Sequence, residues 1–214
     1  MNRIIAIWKP RGPTSHDIIN SVRKVTGVER VGHAGTLDPL AEGILVIGIG
    51  REATKQLTDA VAAEKEYIAT VRLGATSTTD DEEGEKTEIA VVEKPTREKI
   101  QNEIGKFIGI IKQVPPAYSA IKVRGKTAYR RARSGETFTL KARNVEIKEI
   151  ELIEYRYPLL RMRVITGPGV YIRALARDMG RALGTGAYLA ALIRTRVGQF
   201  TKEIARTLQE LRQK

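Results

Sequence analysis

Residues 32–50 read GHAGTLDPLAEGILVIGIG, a polar, glycine-rich loop that runs directly into an apolar segment. The apolar half, GILVIGIG (43–50), reads as a strand. In the polar half, Asp38 stands before Pro39, where a carboxylate commonly bonds local backbone N–H groups. On these residues alone a capped turn and a chemical role for Asp38 both remain open.

Working outward, RIIAIW (3–8) reads as a buried strand, and KPRGPTS (9–15) as a turn that ends with Thr14 or Ser15 capping a helix. Ile18, Val22 and Val25 recur at helical spacing until Gly27 stops that helix, and a second helix is expected from Glu52 to about Val61. In KEYIATVRLG (65–74), Tyr67, Ala69, Val71 and Leu73 alternate with more polar residues, predicting a strand with one buried face. The acidic TTDDEEGE (78–85) lacks the ligand spacing of a calcium loop and reads as a solvated hairpin tip. Ile100, Ile104 and Phe107 mark an amphipathic helix from Thr96 to Ile108, followed by a strand at IIKQV. Segments 143–154 and 159–166 form a pair of long strands around Pro158; Ile172–Leu183 is a helix closed by Gly184; and Thr201 caps a last helix carrying Ile204, Leu208 and Leu211. Without a regular βαβ repeat, the class is α+β with a mostly antiparallel sheet.

The 214 residues suit one domain, and no repeat or linker interrupts them. Absence of Cys excludes disulfides, thiolate catalysis and Cys-based zinc sites. No apolar run approaches the roughly 18 residues that span a bilayer, so neither membrane association nor a signal peptide is expected, and the cytoplasm is the expected compartment. A net charge of +12 makes nucleic acid the leading partner.

Two motifs mislead. Gly48, Gly50 and Ala53 satisfy a dinucleotide-binding pattern, but Glu64 and Glu66 begin the next strand instead of ending it. Gly125-Lys126-Thr127 resembles the end of a phosphate loop, yet Ala120 stands where its first glycine belongs. With only His16 and His33, a Ser/His triad or His-based zinc site has almost no material.

GHAGTLDPLAEGIL (32–45) resembles the central motif of the TruB family of tRNA pseudouridine synthases. KPRGPTSHDIINSVRK (9–24), KEYIATVRLG, QVPPAYSAIKVRGKTAYRRAR (113–133), GPGVYIRALARDMG (167–180) and LIRTRVG (192–198) resemble further segments in the family's order, spanning Ile4 to Gly198. Trp8 departs from the Asp frequent in relatives, and Ile193 from the frequent Arg.

The resemblance implies a pseudouridine synthase fold, a mostly antiparallel mixed sheet flanked by helices with an inserted basic lobe at about 113–140. It implies conversion of uridine 55 in the T arm of tRNA to pseudouridine with base flipping, without cofactor or metal. Asp38 is then the catalytic carboxylate, Arg173 the cation that favours its ionised form, and Tyr67 the ring that stacks on the base. Tyr171 lines the pocket, Leu192 packs on the base, and His33 fills space left by flipped nucleotides. Lys9, Gly35, Thr36 and Leu37 are then substrate- or RNA-binding residues. Tyr118, Lys122, Lys126, Arg130 and Arg131 belong to the lobe that clamps the T stem-loop. A monomer without an obligatory protein partner is implied, as is a single catalytic domain over 1–214 lacking the C-terminal RNA-binding (PUA-like) domain of usual members. Two alternatives share the loop: a guide-RNA-dependent synthase, and a non-catalytic RNA-binding or chaperone protein on the same fold.

Overall fold

The computed structural model describes residues 2–213. In chain order its elements are β1 (Arg3–Lys9), α1 (Ser15–Thr26), β2 (Val31–Ala34), β3 (Ala41–Ile49), α2 (Arg51–Lys55), α3 (Leu57–Ala62), β4 (Lys65–Leu73), β5 (Ala75–Ser77) and β6 (Lys86–Glu88). There follow α4 (Arg97–Gly105), β7 (Gly109–Gln113), β8 (Lys122–Val123), β9 (Lys126–Thr127), α5 (Ala128–Arg133), β10 (Arg143–Arg156) and β11 (Leu159–Thr166). The last are α6 (Ile172–Leu183), β12 (Ala187–Val197), β13 (Phe200–Thr201), a short 3-10 turn (Lys202–Ile204) and α7 (Leu208–Arg212). The α+β expectation holds.

Two units divide the chain: one holds the residues through Ile68, Ile165–Pro168 and those from Leu192 on, the other Ala69–Val164 and Gly169–Ala191. Strands β4, β11 and β12 contribute residues to both.

In the first unit the strand order is β1-β3-β12-β4, with β2 also on β3 and β13 on β12. β1 and β3 are antiparallel, whereas β3 and β12 are parallel. The apolar run of β3 follows from burial on both faces. Leu45, Ile47 and Ile49 join Ile7 and the Ile18, Ile19 and Val22 stripe of α1, while Ile44 and Val46 pack with Leu57 and Ala60 of α3. Thr14 caps α1 by a reciprocal box with Asp17, and Gly27 ends it in the left-handed conformation. The misleading glycine motif has a packing explanation. A Cβ on Gly48 would lie 2.8 Å from the Ala53 carbonyl oxygen, so the glycine admits α2 against β3.

In the second unit the order is β12-β4-β11-β10-β7. The alternation of β4 is fully realised, every second residue from Lys65 to Leu73 being buried. Helix α4 turns Ile100 and Ile104 inward, and Thr96 caps it. The basic segment forms the hairpin β8–β9 and the short helix α5.

Three expectations are corrected. The helix from Glu52 to Val61 is two helices separated at Gln56. Thr201 opens only the 3-10 turn; the last helix is capped by Thr207, whose hydroxyl accepts the Glu210 N–H while the Glu210 carboxylate accepts the Thr207 N–H. The acidic segment is a hairpin tip between β5 and β6, but it is not simply solvated, because Asp81 is 2% exposed and engaged by arginine.

Candidate active site

In the first unit, the loop from Gly35 to Leu40 joins β2 to β3 and carries Asp38, which is half-buried. Its backbone is held from within. The Ser15 hydroxyl donates to the Leu37 carbonyl and accepts the Leu37 N–H, both at 2.8 Å, which spans 22 residues of sequence. The Gly12 N–H donates to the Pro39 carbonyl at 2.8 Å, and the Ala41 N–H closes a turn on the Asp38 carbonyl at 3.0 Å.

Two buried cations complete this support. Across β1, β3 and β12 the register places Lys9, Gly43 and Arg194 in one row. Lys9, 0% exposed, donates to the Ala41 carbonyl at 2.6 Å and the Pro10 carbonyl at 3.0 Å. Arg194, 1% exposed, donates to the Gly35 carbonyl at 3.0 Å and the Ile44 carbonyl at 2.7 Å. Bonding the charge to several carbonyls offsets part of the cost of removing it from water. Gly43 has φ +113, and a Cβ there would fall 2.2 Å from the Arg194 carbonyl oxygen, so only glycine fits between the two cationic strands.

His33 lies on β2 opposite Ile47, with Nδ1 buried and unpartnered within the described residues. Burial pushes its imidazole below the ordinary value, and the cations of Arg194 and then His16 add to the effect. Lys65 donates to the carbonyls of Val61 and Ala63 at 2.8 and 2.6 Å. Burial first, and Arg194 second, lower its amine to about 8. Tyr67 is buried on β4, and Leu192 is buried on β12 in register with Ala41. Thr36 is exposed and Leu37 buried. Trp8 lies half-buried under the Lys202 amine, 5.1 Å from its ring centroid.

In the second unit, Arg173 occupies the first turn of α6 and is buried. It donates to Asp81 at 3.2 Å, to the Thr79 carbonyl at 3.2 Å and to the Tyr118 carbonyl at 2.9 Å. One turn on, Arg177 pairs with Asp80 at 2.8 Å and with Asp178 at 2.9 Å, and donates to the Val114 carbonyl at 2.7 Å. Desolvation raises the Asp80 carboxyl even so, because its burial outweighs the Arg177 charge. Tyr171 caps α6 without a side-chain bond of its own to the helix.

Within the basic lobe the predicted residues divide. Lys122, Lys126 and Arg130 are exposed, whereas Arg131 is half-buried, donating to the Val123 carbonyl at 3.0 Å and pairing with Glu136. The Tyr118 and Tyr129 rings meet edge to face, with centroids 6.1 Å apart. Sequence reasoning assigns no site role to Ser15, Arg194, Asp81 or Gln113, because their partners lie far along the chain.

Solved structures share this architecture. A Cbf5–Nop10–Gar1 complex matches with TM-score 0.77 at 31% identity, over 98% of this chain and 53% of the matched one. An H/ACA ribonucleoprotein bound to a substrate RNA containing 2′-deoxyuridine matches with TM-score 0.73 at 29% identity, over 98% and 52%. The chain thus spans about half the length of these structures. A pseudouridylate synthase crystal structure at 16% identity has the same fold, with TM-score 0.50. The class is therefore an α+β protein of the pseudouridylate synthase fold.

Residues 23–172 match the TruB family pseudouridylate synthase N-terminal domain, and residues 173–214 the tRNA pseudouridylate synthase B C-terminal domain. Among curated relatives, tRNA pseudouridine synthase B of Thermobifida fusca is 47% identical over 97% of this chain and 73% of its own length. That of Parabacteroides distasonis is 44% identical over 97% and 91%. The chain belongs to the TruB family of pseudouridylate synthases.

Proposed function

We propose that this protein is an isomerase that converts uridine 55 in the T stem-loop of tRNA to pseudouridine, working in the cytoplasm as a monomer without an obligatory protein partner. The supporting observation is the loop around Asp38, whose carbonyls are bound from below by Ser15, Gly12, Lys9 and Arg194. A backbone held in this way fixes the point from which the carboxylate projects before substrate arrives, so less ordering is left for the encounter with RNA.

In this reading uracil is detached at N1, turned while held, and rejoined to the same sugar through C5, so no electrons are gained or lost. Asp38 supplies the carboxylate, Arg173 the cation and Tyr67 the ring on which the extruded base stacks, while Tyr171 lines the pocket, Leu192 packs on the base and His33 fills space left by the flipped nucleotides. Gly35, Thr36 and Leu37 carry the loop, and Tyr118, Lys122, Lys126 and Arg130 present the lobe to RNA phosphates. Identity of 47% to a tRNA enzyme against 31% to a Cbf5 chain favours tRNA over a guide-RNA substrate.

The test is site mapping of pseudouridine in tRNA and in a synthetic T-arm hairpin treated with purified protein. The expected outcome is one modified uridine in each, with the hairpin approaching intact tRNA and an unstructured strand of the same sequence poor. Asp38→Asn should bind RNA near normally and form no pseudouridine, because size and hydrogen bonding persist while the charge is removed. Scattered modification, or turnover by the variant comparable to wild type, overturns the assignment.

A further inference from the structure

The stretch that leads from β7 into the basic lobe is stitched to α6 at three successive places. At Gln113, the last residue of β7 and 1% exposed, the side-chain amide meets the main chain of Tyr171 on both sides. Its Oε1 accepts the Tyr171 N–H at 2.9 Å, and its Nε2 donates to the Tyr171 carbonyl at 3.2 Å. At Val114 the carbonyl accepts from Arg177, and at Tyr118 the carbonyl accepts from Arg173. The Tyr118 ring in turn rests edge-on against Tyr129 of α5, whose N–H donates to the Ser119 carbonyl at 2.9 Å. A continuous line of hydrogen bonds and ring packing therefore runs from the exposed basic helix, through the lobe root, to the first turn of α6.

Gln113 is the member of this line that no charge explains. A helix N-terminus has free N–H groups, and Tyr171 offers no side-chain cap. The glutamine amide holds a donating NH2 and an accepting oxygen in one plane, and one N–H and the oxygen match the Tyr171 C=O and N–H as a neighbouring strand would. Its main chain ends β7, fixed to β10 by the Gln113–Arg143 register, and the lobe root begins at the next residue.

We propose that Gln113 is a positioning residue that couples the basic lobe to Arg173: RNA gripped by the lobe fixes the root at 113–118, and the root sets the start of α6. This rests on the tRNA isomerase reading for its kinetic consequence, but the coupling itself is a property of binding. Loss of the amide frees the N-terminus of α6 to shift by fractions of an ångström, which degrades alignment at Arg173 without removing any group that touches RNA.

The test combines turnover on the T-arm hairpin with amide hydrogen exchange at residues 171–175. Gln113→Ala is expected to lower kcat roughly ten- to hundred-fold, as misplacement of a catalytic constellation does, while the hairpin Kd stays within about twofold. In wild type, hairpin binding should slow exchange at both the lobe and 171–175; in Gln113→Ala it should slow exchange at the lobe alone. Gln113→Glu adds a signature that a merely structural role does not give. Its ionised carboxylate cannot donate to the Tyr171 carbonyl, whereas the protonated acid can, so its kcat relative to wild type should rise as pH falls from about 8 through the carboxyl's titration, down to about 4. This variant also carries the test should Gln113→Ala not fold. Pseudouridine formation by wild type tests the isomerase reading separately, and the exchange experiment decides the coupling whatever its outcome. A kcat within twofold of wild type in Gln113→Ala, protection of 171–175 unchanged in that variant, or a pH-independent Gln113→Glu ratio overturns the proposal.

Discussion

Replacing Ser15 by Ala removes both halves of the reciprocal bond that fixes the Asp38 loop. The Ser15 side chain is 2% exposed, so no water replaces it, and the Leu37 N–H and carbonyl each lose a partner at 2.8 Å. A buried main-chain group left unsatisfied costs about 1–3 kcal/mol. Ala in the first turn of α1 returns a few tenths through helix propensity. With two such groups the net loss is about 2–6 kcal/mol, or roughly 4–24 °C in Tm for a chain of this length. The loosened loop should also lower kcat on tRNA about tenfold or more, with little change in KM. Thr14→Ala supplies the comparison. It breaks the exposed capping box, whose side-chain bonds run between Thr14 and Asp17, and costs about 1 kcal/mol, so it should lower Tm by a few degrees and spare kcat. Thermal melting and single-turnover kinetics on the two variants separate the effects. A Ser15→Ala protein with Tm within about 2 °C of wild type, or the same kcat as Thr14→Ala, refutes the pinning.

Changing Lys122, Lys126 and Arg130 to Gln should weaken tRNA binding and flatten its salt dependence, the log–log slope falling by roughly 0.7 to 0.9 for each phosphate no longer neutralised. Arg131→Gln should instead loosen the lobe, since that guanidinium holds Val123 and Glu136, and the readout is faster proteolysis between residues 118 and 140; equal behaviour of all four would contradict the division. Lys65 predicts a pH effect. Its folded-state amine titrates near 8, below the ordinary lysine value of 10.5, so above about pH 8 the unfolded chain binds the extra proton and stability rises until about pH 10.5. Urea titrations across that window should show the rise in wild type and its loss in Lys65→Met; a parallel pair of curves would remove Lys65 as the source.

Elements whose signal is local were readable from the residues: the periodic stripe of α1 ending at Gly27, the alternation of β4, and the two-sided apolar run of β3. What could not be read was inward-facing charge. Arg194 is bound to the carbonyl of Gly35, 159 residues away, and Arg173 to Asp81, 92 residues away, so no window of sequence contains both partners. Burial of charge also runs against composition, which places such residues on the surface unless they are paired. The same blindness made Asp80 and Asp81 look like a solvated tip. Thr201 and Thr207 both precede helix-forming residues, and only the capping box of Thr207 with Glu210 decides between them.

The loop carrying Asp38 also has a consequence for timing. With the Gly35, Leu37, Pro39 and Ala41 carbonyls each bound inside the first unit, its conformational freedom is surrendered when the chain folds, not when RNA arrives. The ordering entropy of this segment therefore belongs to the thermodynamics of folding, and is absent from each encounter with a uridine.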